Sequence, residues 1–196
     1  VRVWKKIPST DEEMSAYSRE FWIFMGATVL CLMAFQIIIP TSIPVYNEVL
    51  GLFGIASNLA PPADPVQFYS KFQLWFAVGI ALLSGTGQFF WWKRMNFQDF
   101  KIEIQKPLMI SLLISALIFV LAEVREVPYM ILLTASIYSI TANFAILLRL
   151  KRTNVKLSGG SIAHIGVGLM LIGILFSSGY SKILSKNNTG LLYSNE

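Results

Sequence analysis

Ser161-Ile162-Ala163-His164-Ile165-Gly166-Val167-Gly168-Leu169-Met170-Leu171-Ile172-Gly173-Ile174-Leu175-Phe176-Ser177-Ser178-Gly179-Tyr180 runs for twenty residues without an acid, a lysine or an arginine. A helix of that length rises about 30 Å, the thickness of a bilayer's hydrocarbon core. The stretch reads as a membrane-crossing helix, and the pattern recurs upstream. Residues 22–39, 72–92 and 128–148 run for 18 to 21 residues and carry no charge. Residues 108–122 are also apolar but number only 15. They span if Lys106 and Arg125 snorkel outward at the two ends, or if the bilayer thins locally. The expected fold class is all-α, a polytopic integral membrane protein with about five transmembrane helices.

Composition agrees. Of the 196 residues 55% are hydrophobic and 14% charged, with a mean hydropathy of +0.59. A soluble domain carries about 25% charged residues. Lipid is therefore the expected solvent and a direct partner. The net charge of +5 does not read as a nucleic-acid interface, because no basic stripe is interleaved with aromatics. The lone Cys31 lies in an apolar run. It excludes both a disulfide framework and a CxxCH haem-attachment site on this chain.

The connections fix an orientation. Residues 1–21, 93–107 and 149–160 hold twelve Lys and Arg, and the opposite side holds Lys71, Arg125, Lys182 and Lys186. Cytoplasmic loops carry the excess of positive charge. The start is expected in the cytoplasm and residues 181–196 outside, as the beginning of an external segment. The cytoplasmic lead-in 1–21 has capping-box chemistry in Ser9, Thr10, Glu12 and Glu13. A helix from about Asp11 would run straight into the first span. Ser18-Arg19-Glu20 would then lie at the membrane surface, either as a solvated turn or as a functional contact. The external loop 40–71 contains Pro40, Pro44, Pro61, Pro62 and Pro65, which limit regular helix. Residues 45–55 within it are apolar enough to lie in the interface. Residues 123–128 form a short turn between antiparallel helices. Trp91-Trp92-Lys93-Arg94 reads as an aromatic belt followed by inside charges.

The chain's single histidine, His164, lies within the last span. An ionisable group in a span is a functional-site hypothesis by default, and neutral imidazole is a good metal ligand. Positions i−4, i and i+4 share a helical face; here they are Gly160, His164 and Gly168. A residue without a side chain on either side of an imidazole leaves a flat slot suited to a planar macrocycle. The alternative is that the glycines serve helix packing and His164 hydrogen-bonds a neighbour. Gly166 and Gly173 mark a different face, open to close helix contact. One histidine cannot supply both axial positions. Met170 is on the same helix and cannot reach across, and Met25, Met33, Met109 and Met130 have no pattern that recommends them. Asn143 sits in a polar stripe with Thr134, Ser136, Tyr138, Ser139 and Thr141, read as interhelical hydrogen bonding. Walker loops, HExxH and paired intramembrane carboxylates are absent.

Ser18-Arg19-Glu20 before an apolar span, Pro40 after it, Pro61-Pro62 and Phe68-Tyr69 before the next, and finally Gly160-Ser161-Ile162-Ala163-His164-Ile165-Gly166-Val167 together resemble the later membrane part of the CcmF-type cytochrome c haem lyases. The resemblance covers residues 18 to 180. It implies a role in attaching haem to apocytochrome c by thioether bonds, alongside other cytochrome c maturation membrane proteins in the cytoplasmic membrane. It also implies a haem b inside the membrane with His164 as an axial ligand, Gly160 and Gly168 forming its slot, and the second ligand expected on a helix upstream of Val1. The family's tryptophan-rich external segment, external histidines and first intramembrane histidine have no counterpart here, and Ile38-Ile39 replaces a Gly-Thr pair before Pro40. With Val1 in place of a methionine, the expectation is an internal stretch of a longer protein, inactive alone as a lyase. A segment of a multi-spanning solute transporter is the alternative, with the polar fourth span and glycine-rich fifth as its path.

Topology is directly testable. Reporter fusions after residues 60 and 190 should read as external and one after residue 100 as cytoplasmic. A cytoplasmic signal at 190 would sink the five-span reading.

Overall fold

The computed structural model describes residues 18–90, 96–153 and 158–180. Five helices among them are long and apolar enough to cross a membrane. The chain is an all-α, multi-pass membrane protein. In order it forms α1 (Arg19–Thr41), the short α2 (Ile43–Leu52), α3 (Pro65–Gly87), α4 (Phe97–Leu121), α5 (Val127–Thr153) and α6 (Gly159–Ile174). A 3-10 turn, Gln88–Phe90, extends α3, and a π turn, Leu175–Gly179, extends α6.

Each start has a local cause. Ser18 is extended (φ −114°, ψ 151°), and its hydroxyl accepts the Phe21 N–H at 3.4 Å. Such a cap satisfies one of the donors orphaned at a helix start, and Glu20 in the first turn complements the dipole. This corrects the expected continuous helix from Asp11 into the first span: the extended backbone at Ser18 interrupts it. Ser9, Thr10, Glu12 and Glu13 lie outside the described residues. Asp64 caps α3 by accepting the Gln67 N–H at 2.9 Å, and Asn96 caps α4 by accepting the Asp99 N–H at 2.9 Å.

The prolines act differently from the expectation. Pro44 and Pro65 stand in the first turns of α2 and α3, where a missing N–H costs nothing and φ is already set for helix. The 40–71 connection thus contains α2 and the beginning of α3. The Asn47 side chain ties α2 to the segment after it, donating to the Leu59 carbonyl at 2.8 Å and accepting from the Ser57 hydroxyl at 2.8 Å. The expected 15-residue third span is corrected too. Pro107 lies inside a 25-residue α4 and is buried. Membrane helices tolerate interior proline, and the Thr141 hydroxyl ties α5 to α4 at this point by donating to the Pro107 carbonyl at 3.2 Å.

α5 is the hub. Of its span 56% is buried, against 0% for α1. It packs on α3, α4 and α6, while α1 leans chiefly on α3. One apolar cluster joins Val78, Ala81, Leu133, Ala135, Leu171 and Leu175. A second, at the end where α1 starts, joins Phe89, Phe90, Tyr138, Ala142, Ile146 and Leu150. Between these lie small and polar contacts. A Cβ on Gly85 would come within 2.7 Å of the Tyr138 ring and 3.2 Å of the Ser139 Cα, so only glycine allows this approach of α3 to α5. The Ser84 and Ser139 hydroxyls meet at 3.2 Å, and Tyr138 meets Thr86 at 3.1 Å. Asn143, fully buried, donates to the carbonyls of Ser84 at 3.2 Å and Ser139 at 2.8 Å. The polar stripe of the fourth span is interhelical bonding at Tyr138, Ser139, Thr141 and Asn143, whereas the Thr134 and Ser136 hydroxyls donate to the Met130 and Leu132 carbonyls of their own helix. Arg149 pairs with Glu103 between α5 and α4.

Asn143→Ala should lower the unfolding free energy in mixed micelles by about 1–2 kcal/mol, the upper range for an interhelical hydrogen bond. An unchanged SDS-unfolding midpoint would show that the α3–α5 contact stands without the amide.

Candidate functional site

Helix α6 carries two faces. Ser161, Gly168, Leu171 and Leu175 are buried, a spacing that follows one side of a helix. His164 lies beside that side and is half-buried. Its neighbours are α1 and α3. The three helices enclose an open groove of about 550 Å³, within the 300–1,000 Å³ range of small-molecule sites.

The groove wall is mostly apolar. Trp22, Ile23, Gly26, Ala27 and Leu30 come from α1, Ile80 and Leu83 from α3, and Val167 from α6. Its polar residues are Arg19, Ser84, Gln88 and His164. The α1 residues recur at helical spacing along one side, with Arg19 at the start of the helix. The end near Arg19 is braced by rings. Trp22 stacks on Phe90 with centroids 5.4 Å apart, and Phe90 stacks on Phe100 at 5.1 Å. This stack joins α1, the 3-10 turn and α4. Trp91-Trp92-Lys93-Arg94 lies outside the described residues.

The two glycines of the expected slot part company. Gly160 is exposed, and a Cβ there would stand 3.8 Å from the Gln88 amide oxygen, at the polar end of the groove. Gly168 is buried against α5. A Cβ there would come within 2.7 Å of Ile140 Cγ1 and 3.1 Å of the Ser136 carbonyl oxygen. The slot is therefore not open at Gly168, which corrects the expectation for that residue. At 3.6 residues per turn, positions four apart differ by about 40°, enough for α5 to claim one and the groove the other. The expected close contact at Gly166 and Gly173 is corrected as well, since nothing stands within 4 Å of a Cβ at either.

Chemically the groove offers one imidazole and no second strong ligand. No described methionine lines it: Met170 and Met33 line an adjoining groove, and Met130 lines another beside α4. Among the described residues no three His, Cys, Asp or Glu side chains gather to hold a bare ion. A metal brought in its own macrocycle fits this donor set better, because it needs only an axial ligand from the protein. Cys31 is exposed on α1, away from the groove lining. Trp22 and Gln88 were not singled out from sequence. Because α1 is apolar on every side, no amphipathic stripe marks its groove face.

Comparison with protein-family models, curated proteins and solved structures finds no match to the chain.

Gly168→Leu should cost about 1–3 kcal/mol through overpacking against Ile140 and the Ser136 carbonyl. Gly166→Leu, facing open space, should stay within about 0.5 kcal/mol of wild type. Equal losses in SDS unfolding would refute the assignment of Gly168 to the α5 contact.

Proposed function

We propose that this chain is part of a membrane haem lyase of cytochrome c maturation, in which His164 is an axial ligand to a haem b. The observation that carries the reading is the placement of the single histidine: half-buried and lining an apolar groove between three membrane helices. The Gly160-to-Val167 motif and its order after Ser18-Arg19-Glu20 supply the family to which the groove is compared.

In this reading His164 supplies the nitrogen ligand as neutral imidazole. Trp22, Leu30, Leu83 and Val167, which line the groove, would supply the haem's apolar surroundings. A second ligand would have to come from a segment other than those lining the groove. A haem bound there supplies one-electron redox chemistry at a potential set partly by its axial ligands. Its place in maturation is to help keep the delivered haem reduced while thioether bonds to apocytochrome c form. The charge bias supports a cytoplasmic Arg19 end, and in this reading the opposite end faces outward, toward apocytochrome c and the other maturation proteins. The solute-path alternative is less well supported. Asn143, Ser139 and Tyr138 are engaged between α3 and α5, and Gly168 is filled by α5.

The test is the reduced-minus-oxidised spectrum of the purified protein, wild type against His164→Ala. The alanine variant should lose the b-type band and fail to support cytochrome c maturation in cells while still inserting in the membrane. A normal band with full maturation would leave His164 as a packing residue and end this reading.

A further inference from the structure

We infer that the groove adjoining the His164 groove is a lipid site, which seats one acyl chain of an ester phospholipid and holds the chain's carbonyl at the rim away from Arg19. This site is separate from the haem reading and does not depend on it.

The second groove lies among α1, α3, α5 and α6 and holds about 390 Å³. It meets the His164 groove at Ile80 and Val167, which line both. From Ile80 it runs along α3 to Ser70, about 15 Å at 1.5 Å per residue. That is half of the roughly 30 Å hydrocarbon core, the depth of one leaflet. Its polarity changes along that length. The deep part is apolar, with Ala77 and Leu74 on α3 and Leu171 and Ile174 on α6. Ser70 and Gln73, near the start of α3, and Ser178, in the π turn after α6, form the rim. An apolar bed that ends in polar groups near the membrane surface is the profile of a lipid chain below its ester.

The rim offers donors. A helical serine or threonine in lipid commonly returns its proton to a carbonyl one turn back, as Thr28, Ser115, Thr134 and Ser136 do here. Among the described residues the hydroxyls of Ser70 and Ser178 make no such bond, and they approach the groove from two different helices. Gln73 adds a third donor. Its Nε2 gives one N–H to the Gln36 Oε1 at 2.5 Å, which fixes the amide and leaves its second N–H. An ester carbonyl is an acceptor with no proton of its own, so it complements this set. No residue of the lining is charged. The groove therefore selects the neutral ester, and the phosphate headgroup stays in the interface.

Native mass spectrometry of the detergent-solubilised protein reads the affinity of the first lipid bound. The probes are a diacyl phosphatidylcholine and its dialkyl ether analogue of equal chain length, which lacks only the carbonyls. The ester should bind about fivefold more tightly, the worth of one hydrogen bond. Ser70→Ala combined with Ser178→Ala, or Gln73→Leu alone, should bring the two lipids level. Ala77→Phe, in the apolar bed, should weaken both. Equal affinity of ester and ether in the wild type would overturn the site. So would an ester preference that survives in both rim variants, or an Ala77→Phe protein that binds lipid as the wild type does. His164→Ala should keep the ester preference; its loss there would place the lipid in the His164 groove and overturn the assignment. The haem spectrum judges the axial ligand separately.

Discussion

Helices in lipid have no hydrophobic reason to associate, since acyl chains are as apolar as leucine. What gathers this bundle is the close contact that α5 offers to three partners at once. Toward α3 it presents Tyr138, Ser139 and Asn143, which meet Ser84, Gly85 and Thr86. Toward α6 it presents Ser136 and Ile140, which fill the space at Gly168. Toward α4 it presents Thr141 and Arg149, which meet Pro107 and Glu103. These contacts combine steric intimacy with hydrogen bonds that lipid cannot supply.

The groove inherits its shape from that hub although α5 does not line it. Helix α5 fixes α3 and α6 side by side, and α3 in turn carries α1. Ser84 belongs to both structures. Its carbonyl accepts from Asn143 on the inner side, and the residue lines the groove on the other. The position of His164 relative to Trp22 is thus a consequence of how closely Gly85 and Gly168 let their helices approach α5.

Sequence made the spans legible because twenty apolar residues have few alternatives in water or in lipid. It also marked His164 as unusual and Asn143 as an interhelical donor. The boundaries were harder. Pro65 reads as a limit to regular helix by local propensity, yet first-turn geometry admits it at the start of α3, and the charges before residue 108 hide that α4 begins at Phe97 and runs through Pro107. The division of Gly160 from Gly168 could not be read from spacing, because an offset of about 40° has meaning only once a neighbouring helix is placed. Nor could the groove face of α1, since a helix apolar all round carries no directional pattern. The identity of the occupant lies further still from the pattern. Length and hydropathy specify a membrane fold, whereas function depends on a few side chains facing a groove.

Helix α1 contributes the largest share of the groove wall and none of the buried core. The element that lines most of the site is therefore not the element that holds the bundle together. Substitutions along Ile23, Gly26 and Leu30 alter the width and contour of the wall while the α3–α5–α6 contacts stay intact. Such modularity gives the site a mutational freedom that the hub lacks: its selectivity is open to drift or to redesign by changing one peripheral helix, whereas a change of similar size on α5 disturbs three interfaces together.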